Sequence, residues 1–152
     1  MAKAKKKLVI GTIDRIDLPF FELYELPCKI DTGADTSAIH CHYVKLIERD
    51  GVEEVCFRLL DPLHQAYNGK EFRTSEFKEK KVRSSSGFAT YRYTIKTKVK
   101  LFRKTYPIYF TLADREQMRY PILLGRRFLK NRFTVDVAQR DLSYLGLRTD
   151  FS

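Results

Sequence analysis

An all-β fold with one or two short helices is what the sequence predicts, and three observations predict it. From Tyr91 to Leu101 the chain alternates strictly. Tyr91, Tyr93, Ile95, Thr97, Val99 and Leu101 share one face, while Arg92, Thr94, Lys96, Lys98 and Lys100 share the other, the period of a half-buried strand. Short β-prone runs bounded by turn residues recur along the rest of the chain, and only two brief segments read as helical. Hydrophobic residues make up 43% and aromatics 13% of 152 residues, enough to build one core in a chain of single-domain length.

Taken in order, residues 1–7 carry Lys3, Lys5, Lys6 and Lys7 and read as a basic flexible tail, with one domain over residues 8–152. Leu8 to Ile13 is β-prone. Leu18 to Phe21 and Leu23 to Leu26 suggest a strand pair near a turn. Cys28-Lys29-Ile30 then runs straight into Asp31-Thr32-Gly33-Ala34. Lys78 to Val82 reads as a strand before the turn cluster Ser84 to Gly87. The alternating strand follows, and after a turn at Arg103-Lys104 it pairs with Tyr106 to Leu112 as a hairpin. Asp114 to Tyr120 and Arg126 to Asn131 are the helical segments. Phe133 to Val137 and Leu142 to Leu147 close the chain as two further strands. No repeat, linker or low-complexity tract interrupts it.

Charge narrows the function. Twenty-nine Lys and Arg oppose 19 Asp and Glu, a formal net charge of +10, which favours an anionic partner: nucleic acid, membrane lipid, or an acidic protein or peptide. No run approaches the roughly 18 apolar residues of a membrane span. Leu8-Val9-Ile10 is shorter than the roughly 7–15-residue apolar region of a secretory signal. Cys28, Cys41 and Cys56 are too few, and odd in number, for a disulfide framework. A cytoplasmic protein with reduced thiols and no membrane partner is expected.

Asp31-Thr32-Gly33-Ala34 is the most informative stretch. A carboxylate on a turn after a strand, followed by a small hydroxyl residue and a glycine, suits water activation. The glycine lets backbone approach closely, and the hydroxyl can brace the turn. Some ninety residues later, Tyr120-Pro121-Ile122-Leu123-Leu124-Gly125-Arg126 sets an apolar run ending in glycine just before a short helix. That ordering resembles retroviral-type aspartic proteases. More closely, it is similar to the RimK-associated retropepsin-like peptidases, a bacterial family long labelled "ATP-dependent zinc protease". The matching blocks are residues 29–40 and 112–129, continued by Phe133-Thr134-Val135-Asp136-Val137, and the resemblance runs from about residue 8 to 147.

The resemblance implies a retropepsin-like acid-protease β-barrel. It implies Asp31 as catalytic carboxylate, Thr32 bracing it and Gly33 shaping the turn, with Ala34, Asp35, Gly125 and Arg126 supporting the site and an Asp35–Arg126 ion pair beside it. By the same analogy the hairpin between about Lys78 and Tyr93 is a flap, and Arg83, Ser86, Gly87 and Arg92 face substrate. The chemistry needs two carboxylates sharing one proton. The chain holds a single Asp-Thr-Gly, and Asp136 lacks the following Thr/Ser-Gly, so the second carboxylate is expected from another copy across a two-fold axis. The family's link to a ligase that adds glutamates to a ribosomal protein implies a peptide substrate with acidic, glutamate-rich tails.

Three alternatives are weighed. Zinc would draw on His40, Cys41 and His42, with Cys28, Cys56 and His64 elsewhere, but neither His-Glu-x-x-His nor Cys-x-x-Cys is present, and no metal is expected. The dispersed glycines form no phosphate-cradling loop and there is no Gly-x-Ser-x-Gly elbow, so no ATP, other cofactor or covalent nucleophile is expected. A non-catalytic basic β domain binding nucleic acid or ribosomal protein is the rival, with Arg92, Lys96, Lys98 and Lys100 as its stripe. Against it, the strand's tyrosines fall on the opposite face from its lysines, where no stacking platform forms.

Overall fold

The computed structural model describes residues 6–83, 87, 89–147 and 150–151, and in it alternation becomes strand almost everywhere it was read. In chain order the elements are β1 (Lys7–Ile10), β2 (Ile13–Leu18), a 3-10 turn (Pro19–Phe21), β3 (Leu23–Ile30), β4 (Ser37–Arg49), β5 (Val52–Leu59), β6 (Phe72–Thr74), β7 (Phe77–Arg83), β8 (Ala89–Leu101), β9 (Lys104–Ala113), β10 (Ile122–Leu124), α1 (Arg126–Leu129), β11 (Phe133–Val135) and β12 (Asp150–Phe151). The predicted all-β class stands.

The apolar triplet Ile122-Leu123-Leu124 closes the molecule. A strand without polar side chains fits where both its edges and faces are covered. β10 lies parallel to β3, with Leu124 opposite Ile30, and antiparallel to β4, with Ile122 opposite Ile39. Continuing round, β3 pairs β2, β2 pairs β8, β8 pairs β9, and β9 runs parallel to β4, so six strands close a barrel. Closure removes the sheet edges that would otherwise attract other chains. β7 extends β8 outward, β5 and β6 extend β4, and β11, β1 and β12 form a separate three-stranded sheet. Ile10, Ile16, Leu18, Leu26, Ile39, Phe110, Ile122 and Leu124 are fully buried inside. Phe57 and Phe72 stack, and Phe21 meets both edge-on, at centroid distances of 4.7–5.9 Å.

Several boundaries depart from expectation, each for a local reason. Lys7 belongs to β1, opposite Phe151, and not to the tail. The expected strand over Leu8–Ile13 breaks at Gly11, where the backbone passes so close to Gln139 that a Cβ would stand 2.2 Å from its carbonyl oxygen. Pro19–Phe21 forms the tight turn itself, and the strands it joins are β2 and β3. The predicted helix over Asp114–Tyr120 is a series of turns. The His40 ring takes the Arg115 N–H and the Asp114 carboxylate the Glu116 N–H, and the segment closes only one backbone turn, from the Met118 N–H to the Arg115 carbonyl at 2.8 Å. The predicted strand over Leu142–Leu147 is likewise a turn. Buried Asp14 accepts hydrogen bonds from the Ser143 and Tyr144 N–H groups at 2.9 and 3.1 Å. Tyr91, expected to face the core, is exposed, and burial on that face of β8 begins at Tyr93. No helix among the described residues is long and apolar enough to cross a membrane.

Candidate active site

Asp31 follows β3 directly, and its N–H donates to the Leu124 carbonyl at 2.9 Å, so β10 fixes where the carboxylate leaves the barrel. The Ala34 N–H returns to the Asp31 carbonyl at 3.2 Å, and the Gly33 N–H donates to Asp31 Oδ1 at 2.9 Å. The loop therefore holds its own carboxylate in place. Thr32 and Gly33 are exposed beside it.

A second chain segment locks this loop from behind. Gly125 packs so closely that a Cβ would meet the Thr36 carbonyl oxygen at 2.5 Å and that of Ala34 at 2.9 Å. Its N–H donates to the buried Ser37 hydroxyl at 3.0 Å. The next two N–H groups, Arg126 and Arg127, donate to the Ala34 and Asp35 carbonyls at 2.8 and 3.1 Å. The Arg126 guanidinium donates to the Thr32 carbonyl at 3.1 Å. All seven residues expected to form or support the site thus meet in one place. The Asp35–Arg126 pair exists at 3.9 Å, but Arg127 holds the same carboxylate more tightly, Nε to Oδ2 at 3.1 Å. All three side chains are exposed, so the pairing adds only about 0–1 kcal/mol.

Arg83, Gly87 and Arg92, expected to face substrate, fall on or between β7 and β8. Ser86 lies outside the described residues, and so do Ser84, Ser85 and Phe88 near the hairpin tip. Arg83 ends β7 opposite Ala89, and Gly87 is exposed with φ +84°. Arg92 is exposed on β8 opposite Lys80. It is the base of the hairpin, at Lys78, Lys80 and Lys96, that borders a cavity of about 660 Å³ together with Asp35, Thr36 and Ser37.

His40 and its partners are what sequence reasoning missed. His40 is buried, its Nε2 2.6 Å from Asp61 Oδ2, and its Nδ1 accepts the Arg115 N–H at 2.8 Å. Since Nδ1 accepts, Nε2 carries the proton toward the carboxylate. Burial alone would raise the Asp61 pKa; the Leu63 N–H and His40 prevail and hold it below the usual range. Arg115 in turn donates from Nε to the Tyr120 carbonyl at 3.2 Å. Burial lowers its pKa while the Asp31 charge opposes that fall, which sets the guanidinium in the field of Asp31. His40 sat in the matching block, but nothing local told which residues it would bond.

These contacts bear on zinc. Both ring nitrogens of His40 are engaged. A bulge at Cys41–Tyr43 interrupts the pleat, and His42 is exposed where His40 is buried. Cys28, Cys41 and Cys56 are all buried, and burial pushes their thiol pKa values up, that of Cys41 to about 12. Among the described residues no three His, Cys, Asp or Glu side chains come together to hold a metal ion. The residues do not fit a zinc centre.

The model of a family described as "Retropepsin-like aspartic endopeptidase RimB" matches residues 9–144. A "Probable alpha-L-glutamate ligase" of Desulfotalea psychrophila is 28% identical over 91% of this chain and 30% of its own length. A protein of the same name from Parasynechococcus marenigrum is 31% identical over 86% of this chain and 28% of its own. The chain thus spans less than a third of the length of these relatives. A Legionella pneumophila crystal structure of unknown function (DUF785) superposes with a TM-score of 0.66 at 23% identity, covering 89% of this chain and 97% of that one, a likeness of fold. With the match covering most of its length, the chain belongs to the RimB-like family of retropepsin-like aspartic endopeptidases.

Proposed function

We propose that the chain hydrolyses peptide bonds as a homodimer in which Asp31 of each copy faces its twin and the pair activates one water. The observation that carries this reading is the Asp31 loop itself: a carboxylate fixed by Leu124 and Gly33, with exposed Thr32 and Gly33 beside it. A hollow of about 690 Å³ next to it is bordered by Thr32, Asp35, Arg126 and Lys7. A second copy docked on this side would bring the two carboxylates together.

Like charges about 3 Å apart cannot both ionise easily, so the pair holds one proton. The ionised partner takes a proton from water as its oxygen attacks the scissile carbonyl carbon. The protonated partner gives its proton to the carbonyl oxygen. Collapse of the resulting diol breaks the C–N bond as the first carboxyl passes the proton it took from water to the leaving nitrogen, and the second recovers one from a diol hydroxyl, which restores the pair. The net charge of +10 and the glutamate ligases among the relatives support a substrate with acidic, glutamate-rich tails.

Asp31→Asn is the test. Cleavage of a glutamate-rich peptide by this variant is expected to fall about 10²–10⁴-fold, with circular dichroism and sedimentation unchanged. Retained cleavage would assign the catalysis to another group. The rival, a nucleic-acid-binding β domain, is favoured by one observation: Tyr109 stands exposed beside Lys78 and Lys96. The strand on which aromatic and basic residues were expected to separate gains an aromatic from its neighbour. Oligonucleotide binding that weakens steeply with salt and survives Asp31→Asn would favour that rival.

A further inference from the structure

The cavity at the base of the β7–β8 hairpin belongs to neither the Asp31 loop nor the hairpin tip, and its chemistry is specific. Strand register lays it out. Lys78 on β7 stands opposite Thr94 on β8, which stands opposite Thr111 on β9, and the two threonine hydroxyls lie 3.3 Å apart. In the rows on either side, Lys80 is opposite Arg92 and Lys96 is opposite Tyr109. One sheet face thus presents four cations round a neutral floor. Tyr109, 52% exposed, has Lys78 Nζ 5.4 Å and Lys96 Nζ 5.8 Å from its ring centre. Among the described residues no ion pair engages Lys78, Lys80, Arg92 or Lys96, whereas Asp35 at the cavity's edge is already held by Arg127. Of the four cations, Lys78, Lys80 and Lys96 line the cavity, joined by Arg127 and Arg132 and opposed by Glu79 and Asp35, and this excess of positive charge favours an anionic occupant.

We propose that this groove is a docking site for an acidic stretch of the polypeptide substrate, separate from the catalytic carboxylates. Its function rests on the peptidase reading, but its binding chemistry does not. Lys78 and Lys80 are two residues apart on one strand, about 6.6 Å. That is the repeat of same-side carboxylates along an extended peptide, so consecutive acidic side chains meet consecutive cations. Thr36 and Ser37 line the groove five and six residues after Asp31, so a chain leaving the catalytic loop would enter it directly. A single exposed tyrosine favours peptide over single-stranded nucleic acid, which stacks successive bases on successive aromatics.

The full chain carrying Asp31→Asn, which binds without cutting, separates the two readings. Anisotropy of a labelled glutamate-rich peptide and its glutamine counterpart is followed with and without Lys78→Glu/Lys96→Glu. Lys78→Ala/Lys96→Ala serves as a milder second pair, and thermal melts confirm that each folds. The expected result is a loss of about tenfold or more in affinity for the glutamate peptide, a smaller loss for the alanine pair, and no change for the glutamine peptide. With Asp31 intact, KM for the acidic peptide rises while kcat holds. Unchanged affinity, equal loss of both peptides, or tighter binding of a single-stranded oligonucleotide that the lysine substitutions abolish would each overturn the proposal. Absence of cleavage in the unsubstituted protein, with the binding loss still seen, would sink the peptidase reading and leave the groove standing.

Discussion

Two carbonyl oxygens, of Thr36 and Ala34, stand where a side chain at position 125 would begin. Both belong to backbone that also holds the Asp31 loop, so neither can retreat freely. Gly125→Ala is expected to destabilise the fold by about 1–3 kcal/mol, read from urea unfolding, and to lower any Asp31-dependent cleavage beyond the loss of folded protein. A wild-type midpoint would mean the loop yields without cost. At this scale the sequence was largely legible, because an aspartate turn and an apolar-Gly-Arg run are local patterns. Arg127 was not: its competition with Arg126 for Asp35 depends on how α1 is turned, and adjacent arginines look alike in sequence.

Among the elements, the turns at Asp114–Tyr120 are tied to the barrel by a single buried side chain. His40, arriving on β4, takes the Arg115 N–H on one ring nitrogen and points the other at Asp61. That arrangement carries a pH dependence. The Asp61 carboxyl titrates below its ordinary value of 3.8 in the folded state, so its stabilising contribution is complete above that value and is lost as pH falls through the lower, folded-state value. Denaturant melts on acidification from about pH 5 should show this loss, and Asp61→Asn should flatten that part of the profile. An unaltered acid slope in the variant would assign the dependence to other carboxylates. The strand at Leu142–Leu147 failed for a related reason. Buried Asp14 gathers the Ser143 and Tyr144 N–H groups from about 130 residues away, a bond no local window contains.

For the molecule as a whole, the barrel is complete in one copy but the proposed chemistry is not. A second Asp31 has to come from a partner, so specific activity should fall on dilution through the dimer's dissociation range, and sedimentation should follow the same midpoint. Cleavage per chain that holds constant while the protein sediments as a monomer would exclude the paired-carboxylate mechanism. The basic groove lies within one copy, so its affinity for acidic peptide should not change over the same dilution.

The sequence by itself determined the all-β class, the β8–β9 hairpin and the residues of the Asp31 loop, because strand alternation and turn chemistry are written within a few neighbouring positions. Tertiary structure decided what closes the barrel, which arginine holds Asp35, where His40 points, and that Tyr109 shares a face with lysines of two other strands. Those outcomes depend on register between distant strands and on burial of polar groups, quantities that exist only once the strands have paired.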